Sequence, residues 1–208
     1  MSLAPGPDGR PRCWWGVSAP EYVAYHDEEW GRPVTDDCGI YERLTLEAFQ
    51  SGLSWLTILR KRDAFRAAFA GFDYDLVADF GDADTQRLLA DAGIVRNRAK
   101  IEAAIANARA ARELAANGES LAALAWSFRP ERETPPRGEA DLAATTSESK
   151  ALARELKRRG FRFVGPTTAY ALMQAVGIVN DHLAGCAVRE EVEEERARAA
   201  PLAAEAKR

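Results

Sequence analysis

The sequence predicts an all-α fold, and three observations carry that reading. Apolar residues recur at helical spacing over long segments, capping residues precede several of them, and no segment alternates convincingly with period 2. In chain order, Ser18-Ala19-Pro20-Glu21 has the form of a capping box with proline in the first turn. It opens a helix carrying Tyr22, Tyr25 and His26, which Gly31 and Pro33 stop. Asp36 or Asp37 can cap a second helix through Ile40, Leu44 and Ala48, ending near Gly52. Further helices fit residues 55–69, 85–92 and 98–117. Residues 129–141, with Pro130, Pro135, Pro136 and Gly138, read as a loop. Thr145 and Glu148 offer another capping box before a helix to Arg159, and a short helix fits 167–176.

At 208 residues, 47% hydrophobic and 29% charged, the chain can bury a sizeable core. Three cysteines make no disulfide framework, so a reduced, cytoplasmic setting is expected, with Cys38 an ordinary thiol. No apolar stretch approaches the ~20 residues that span a bilayer, and the polar opening segment lacks the apolar core of a signal peptide. No membrane partner is expected. The formal net charge of -4 does not advertise a nucleic-acid binder. Much of the acidity lies between Glu190 and Glu195, where it can mask basic ground elsewhere. The organisation expected is a flexible N-terminal extension at 1–11, one domain over 12–188, and a charged C-terminal tail over 189–208.

Two pairs of metal-type ligands stand near opposite ends, Cys13 with His26 and His182 with Cys186. A Cys₂His₂ set suits tetrahedral zinc, and the chain's only two histidines belong to it. If all four meet on one ion, the metal clips the N- and C-terminal regions together and its role is structural.

Glu47 interrupts an apolar helical stripe formed by Ile40, Leu44 and Ala48. Burying an unpaired carboxylate raises its pKa or demands a partner. One reading is a boundary glutamate whose head reaches solvent. The other is a pocket, because Trp14, Trp15, Tyr22, Tyr25 and Trp30 precede it and Trp55 follows. Such rings are more often core. Beside a carboxylate, however, they suit a flat cationic base, which the rings stack on and the carboxylate neutralises.

A third constellation runs from Leu156 to Tyr170, where a helix enters a glycine-bounded hairpin and a second helix starts at Pro166. Free amides at that start, with Lys157, Arg158, Arg159 and Arg162 nearby, suit a DNA phosphate. A plain helical connection with a solvated basic face is the alternative.

Several segments together resemble DNA-3-methyladenine glycosylase I. They are residues 25–31 (Tyr25 to Gly31), 50–55 (Gln50 to Trp55), Ala92-Gly93-Ile94, Trp126-Ser127-Phe128, 160–165 (Gly160 to Gly165), and Gln174-Ala175 followed by Asn180-Asp181-His182. The resemblance runs from about Arg12 to Cys186. It implies a helix-hairpin-helix glycosylase bundle, with structural zinc on Cys13, His26, His182 and Cys186. It makes Glu47 the base-recognising, catalytic glutamate and Tyr25 and Trp55 the rings that sandwich the base. Trp15 and Trp30 match further pocket aromatics, and Gly52 and Leu53 match the turn that probes the DNA stack. Arg162, Gly165 and Thr167 fall on the DNA-binding hairpin. The substrate implied is alkylation-damaged double-stranded DNA, bound by a monomer. The reaction is hydrolysis of the N-glycosidic bond of 3-methyladenine after base flipping, which begins base excision repair.

Departures from the family pattern are Trp14 and Gly16 after Cys13, and Pro166 in place of a polar residue. Asp181 lies near the catalytic aspartate of related hairpin glycosylases but beside a zinc ligand, where a structural role is expected. His26-Asp27-Glu28 superficially offers the H-x-E of zinc deaminases, but the P-C-x-x-C partner is absent. A zinc-stabilised protein that binds alkylated DNA with weak or lost turnover is the other alternative.

Overall fold

Leu3–Pro5 (β1) pairs antiparallel with Pro11–Cys13 (β2), Leu3 standing opposite Cys13. The structure, a computed structural model, describes residues 2–199. Ten α-helices follow among those residues: α1 Pro20–Glu28, α2 Asp37–Gln50, α3 Trp55–Ala68, α4 Tyr74–Ala78, α5 Asp82–Ala90, α6 Arg98–Ala116, α7 Leu121–Trp126, α8 Ser147–Arg158, α9 Pro166–Ala175 and α10 Arg189–Ala199. The helical class read from the periodicity holds, the small hairpin apart.

The segment expected as an extension at 1–11 is therefore drawn into pairing over its described part. Arg12 is the cause: it is buried, binds Asp8 across the turn at 2.5 Å, and reaches Asp27 on α1 at 2.7 Å. The tail from 189 likewise folds as far as Ala199, while residues 200–208 lie outside the described residues. Val192 and Arg196, one turn apart on α10, form its buried face beneath the acidic run.

The expected caps form at α2 but shift at α1 and α8. Asp36 caps α2 by accepting from the Gly39 amide at 2.7 Å. Ser18 does not cap α1; Ala19 holds that position, the Ser18 hydroxyl donates to Trp15 O, and Glu21 pairs with Arg60. The later capping box forms one residue on, between Thr146 and Ser149. Helices α4 and α7 escape a periodicity search because they are five and six residues long. Their N-caps, Asp73 and Ser120, fix them, and Asp37 ties α7 to α2 by accepting from Ser120 and Ala122.

Helix α2 packs against α3, α6, α7 and α9, so it runs through the middle of the core. Phe49 on α2 meets Phe65 on α3 with ring centroids 4.7 Å apart, and Phe69 and Phe72 continue the stack. Each such buried side chain contributes about 1.5–3 kcal/mol. A smaller cluster of Cys13, Leu183, Cys186 and Val188 joins the two ends of the chain, with Leu3, Trp14 and Trp15 packed against it.

Candidate active site and metal centre

A pocket of about 380 Å³ opens where α1, α2, α3 and α9 converge. Trp15, Tyr22, Tyr25 and Trp30 line one side, Glu47, Gln50 and Trp55 another, and Leu142, Ala171 and Gln174 complete it. Trp15, Tyr22, Tyr25, Trp30 and Trp55 are thus brought together with Glu47, whereas Trp14 packs against the Cys13–Leu183 cluster instead. Helix geometry explains the placement of Tyr22 and Tyr25, three residues apart on one face of α1. Trp55 is set by the tight turn after α2, because Ser54 caps α3 and makes Trp55 its first residue.

Glu47 is only 7% exposed, and among the described residues no donor reaches its carboxyl. Burial pushes its pKa up to about 8, against the pull of Arg43 one turn earlier. Arg43 is itself occupied by Glu29, at 3.0 Å. An unpaired carboxyl facing aromatic rings is poised for a cationic or hydrogen-bonding ligand. Tyr25 and Trp55 touch each other, with centroids 5.3 Å apart and planes tilted by 42°. A base stacked between them needs about 7 Å, twice the contact distance of two rings, so these walls must part to form a sandwich. Trp15 and Trp30 meet edge-on at 4.8 Å behind them.

Those two indoles lead directly to the metal-type ligands. Trp15 packs on His26 at 5.1 Å and Trp30 on His182 at 4.8 Å. The ligand atoms of Cys13, His26, His182 and Cys186 all lie within 4.8 Å of one another, and all four residues are buried. His26 Nε2 stands 3.2 Å from His182 Nδ1, while Cys186 Sγ lies 3.6 Å and 3.7 Å from those two nitrogens. A tetrahedron with metal–nitrogen and metal–sulfur bonds of ~2.0–2.3 Å has edges of ~3.3–3.8 Å. The outer nitrogens fix the tautomers. His26 Nδ1 donates to Asp27 at 2.7 Å and His182 Nε2 donates to Trp30 O at 3.0 Å. Both inner nitrogens therefore present lone pairs to each other, an arrangement that a cation between them stabilises. The donor set fits a four-coordinate metal.

Gly16, unexpected from the family pattern, has a local cause: a Cβ there would lie 2.6 Å from the His26 ring. Gly31 is similarly forced, combining a φ of 82° with a Cβ position 3.2 Å from His182.

The turn between α2 and α3 exposes Gly52, whose φ is 81°, and Leu53, which is 43% exposed. Lys100, which in sequence reads only as part of a basic turn between helices, braces it. Its buried ammonium donates to Phe49 O at 2.9 Å and Ser51 O at 2.6 Å, filling the carbonyls left open at the end of α2. Between α8 and α9, Gly160 takes a φ of 91°, while Gly165 sits in an extended conformation at the N-cap of α9. No atom lies within 4 Å of a Cβ built at Gly165, so the first turn of α9 is open to approach. Arg162, Phe163 and Thr167 are exposed. Asn107 on α6 holds the hairpin, accepting from Arg162 N at 2.7 Å and donating to Arg162 O at 3.1 Å. The signal for it, a buried asparagine on the apolar face of α6, is weak in sequence.

Gln50, Leu142, Ala171 and Gln174 also line the pocket, and none of them is given a role there by the sequence. Gln50 and Gln174 both stand within the segments that carry the family resemblance. Leu142 and Ala171 carry no chemistry that marks them.

Fold and pocket together define a helical DNA glycosylase. Residues 15–190 match the methyladenine glycosylase family. Over 177 residues the chain is 47% identical to DNA-3-methyladenine glycosylase 1 of Escherichia coli (strain K12), covering 84% of this chain and 95% of that protein. A crystal structure of 3-methyladenine DNA glycosylase I superposes with a TM-score of 0.82 at 47% identity, covering 85% of this chain and 98% of the other. A structure showing 3-methyladenine recognition by the Staphylococcus aureus enzyme gives a TM-score of 0.80 at 32% identity, covering 86% and 96%. The chain belongs to the methyladenine glycosylase family.

Proposed function

We infer that this chain removes 3-methyladenine from alkylated double-stranded DNA, and that Glu47 within its ring of aromatic side chains performs the recognition. The observation that carries the reading is the unpaired, buried Glu47 carboxyl that shares an aromatic-lined pocket with Tyr25 and Trp55.

Methylation at N3 makes the adenine in the nucleotide cationic and weakens its glycosidic bond. Extrusion from the duplex costs a few kcal/mol, and least for a damaged pair. The flipped base enters between Tyr25 and Trp55, each ring adding stacking of ~1–3 kcal/mol. Glu47 accepts from the amino group of the base, and the incoming cation restores the ionised form that burial disfavours. When the bond from the base to C1′ breaks, its electron pair neutralises the base. Water captures the oxocarbenium-like sugar and gives up a proton. Attraction that acted on the cation alone would retard cleavage, so Trp15, Trp30 and the pocket shape supply contacts that survive the loss of charge. Leu53 fills the stack vacated by the base, and Arg162, Gly165 and Thr167 meet the phosphates beside it. A monomer suffices for one flipped nucleotide.

Zinc is the metal that the cysteine and histidine donors best fit. Held by Cys13, His26, His182 and Cys186, it would cross-link the chain ends and supply no chemistry, since four protein donors would leave no position for substrate.

Incubating the protein with alkylated DNA and identifying the released bases tests the reading. Free 3-methyladenine is the expected product. A deaminated base, or binding without release, would overturn it in favour of a deaminase or a damage-binding protein.

A further inference from the structure

We propose that Gln174, locked by Asp181, is a specificity-determining residue that favours adenine-type over guanine-type methylated bases. This rests on the reading of the pocket as a methylated-base site.

Gln174 lines the pocket from α9, beside Ala171. Tyr170 lies one turn before it on the same helix, so both side chains reach one point. That point is Asp181 Oδ2, which accepts from Tyr170 Oη at 2.7 Å and from Gln174 Nε2 at 2.7 Å. A carboxylate only accepts, so the Gln174 atom facing it is the amide nitrogen.

The consequence is a fixed polarity. A free glutamine amide can turn over and offer either its N–H groups or its carbonyl. Here one N–H is held by Asp181, which is not among the pocket's lining residues, so the amide cannot turn over and its carbonyl end is the one we assign to the ligand. Adenine carries an amino donor at the position where guanine carries the O6 acceptor. The locked carbonyl accepts from the amino group, but against O6 it sets two acceptors face to face without a proton between them. A site built to hydrogen-bond one substituent rejects an analogue lacking it far better than an apolar wall does. Glu47 cannot supply this discrimination alone, because a carboxyl that gains or loses its proton can donate or accept. Tyr170 holds Asp181 from the second side, so the lock is a three-residue unit.

The test compares release of 3-methyladenine and 3-methylguanine from the same methylated duplex DNA by the unsubstituted protein, Gln174→Met and Asp181→Asn, as kcat/KM for each base. Methionine keeps the length and removes the carbonyl; asparagine lets the Gln174 amide turn over. The expected result is a fall of roughly tenfold or more in the ratio of 3-methyladenine to 3-methylguanine release for both variants. An unchanged ratio overturns the proposal, whether total activity is kept or both activities fall together. Asp181 adjoins His182, so if Asp181→Asn does not fold, Gln174→Met, which contacts no metal-type ligand, decides. Release of neither base by the unsubstituted protein overturns the pocket reading itself; an unchanged ratio with normal release overturns only the role of Gln174.

Discussion

His26 and His182, near opposite ends of the chain, face each other across 3.2 Å, inner nitrogen to inner nitrogen. Their sequence neighbours turn outward to the pocket: Tyr25 lines it, and Asp181 grips Gln174, which also lines it. Trp15 and Trp30 pack on the same two imidazoles. The metal-type cluster therefore backs several pocket walls at once while touching none of the proposed chemistry.

Removal of the metal is expected to unfold this region before it abolishes any chemical step. A purified protein should carry one zinc per chain, and Cys186→Ser or strong chelation should destabilise it by several kcal/mol. Thermal unfolding followed alongside base release checks this. Loss of release in a protein that stays folded without metal would show that the metal acts in the reaction.

Stability should depend on pH through Glu47. Its pKa is about 8 in the fold against an ordinary value of 4.5. Between those values the folded protein keeps a proton that the unfolded chain has lost, so stability falls as pH rises through the window and levels off above it. Glu47→Gln removes the dependence. The variant should gain roughly a few kcal/mol over the unsubstituted protein near pH 8 and little near pH 5. Urea unfolding at the two pH values measures the difference; a gain independent of pH would contradict the burial argument.

The turn bearing Leu53 should depend on Lys100. Lys100→Met leaves Phe49 O and Ser51 O without their donor and loosens the end of α2. Excision from duplex DNA should fall roughly tenfold, while binding of free 3-methyladenine, followed by tryptophan fluorescence, stays within about twofold. Equal losses in both would place the effect in the pocket rather than the turn.

Arg196 anchors α10. Its buried guanidinium donates to Gly177 O, Ile178 O, Glu133 and Glu193. Arg196→Ala should cost about 3–5 kcal/mol, because it strands buried acceptors. Glu191→Ala breaks only the 3.2 Å pair with Arg32, in which Glu191 is well exposed, and should cost under about 1 kcal/mol. Denaturant midpoints of the two variants separate these values.

Much of this was legible in the residues. Glu47 broke an apolar stripe, and the stripe is what buries it; Asp36 capped α2 because a short acidic side chain precedes a helical run. Cys13, His26, His182 and Cys186 stood out by residue type, and the fold brings them together. What stayed hidden depends on partners distant in sequence. Arg12 orders the N-terminal hairpin only because Asp27 faces it from α1. Arg196 is buried only because the carbonyls after α9 await it. Lys100 and Asn107 look like ordinary polar residues of α6 until the turn and the hairpin lie against them. The contact between Tyr25 and Trp55 likewise cannot be read from composition, since it depends on how α1 and α3 approach.

The central claim is that Glu47 carries recognition of the methylated base. Single-turnover release of 3-methyladenine from alkylated duplex DNA by Glu47→Gln tests it most directly, with DNA affinity measured in parallel. The expected result is release slowed by roughly 10²-fold with DNA binding retained. Release at the unsubstituted rate would contradict it.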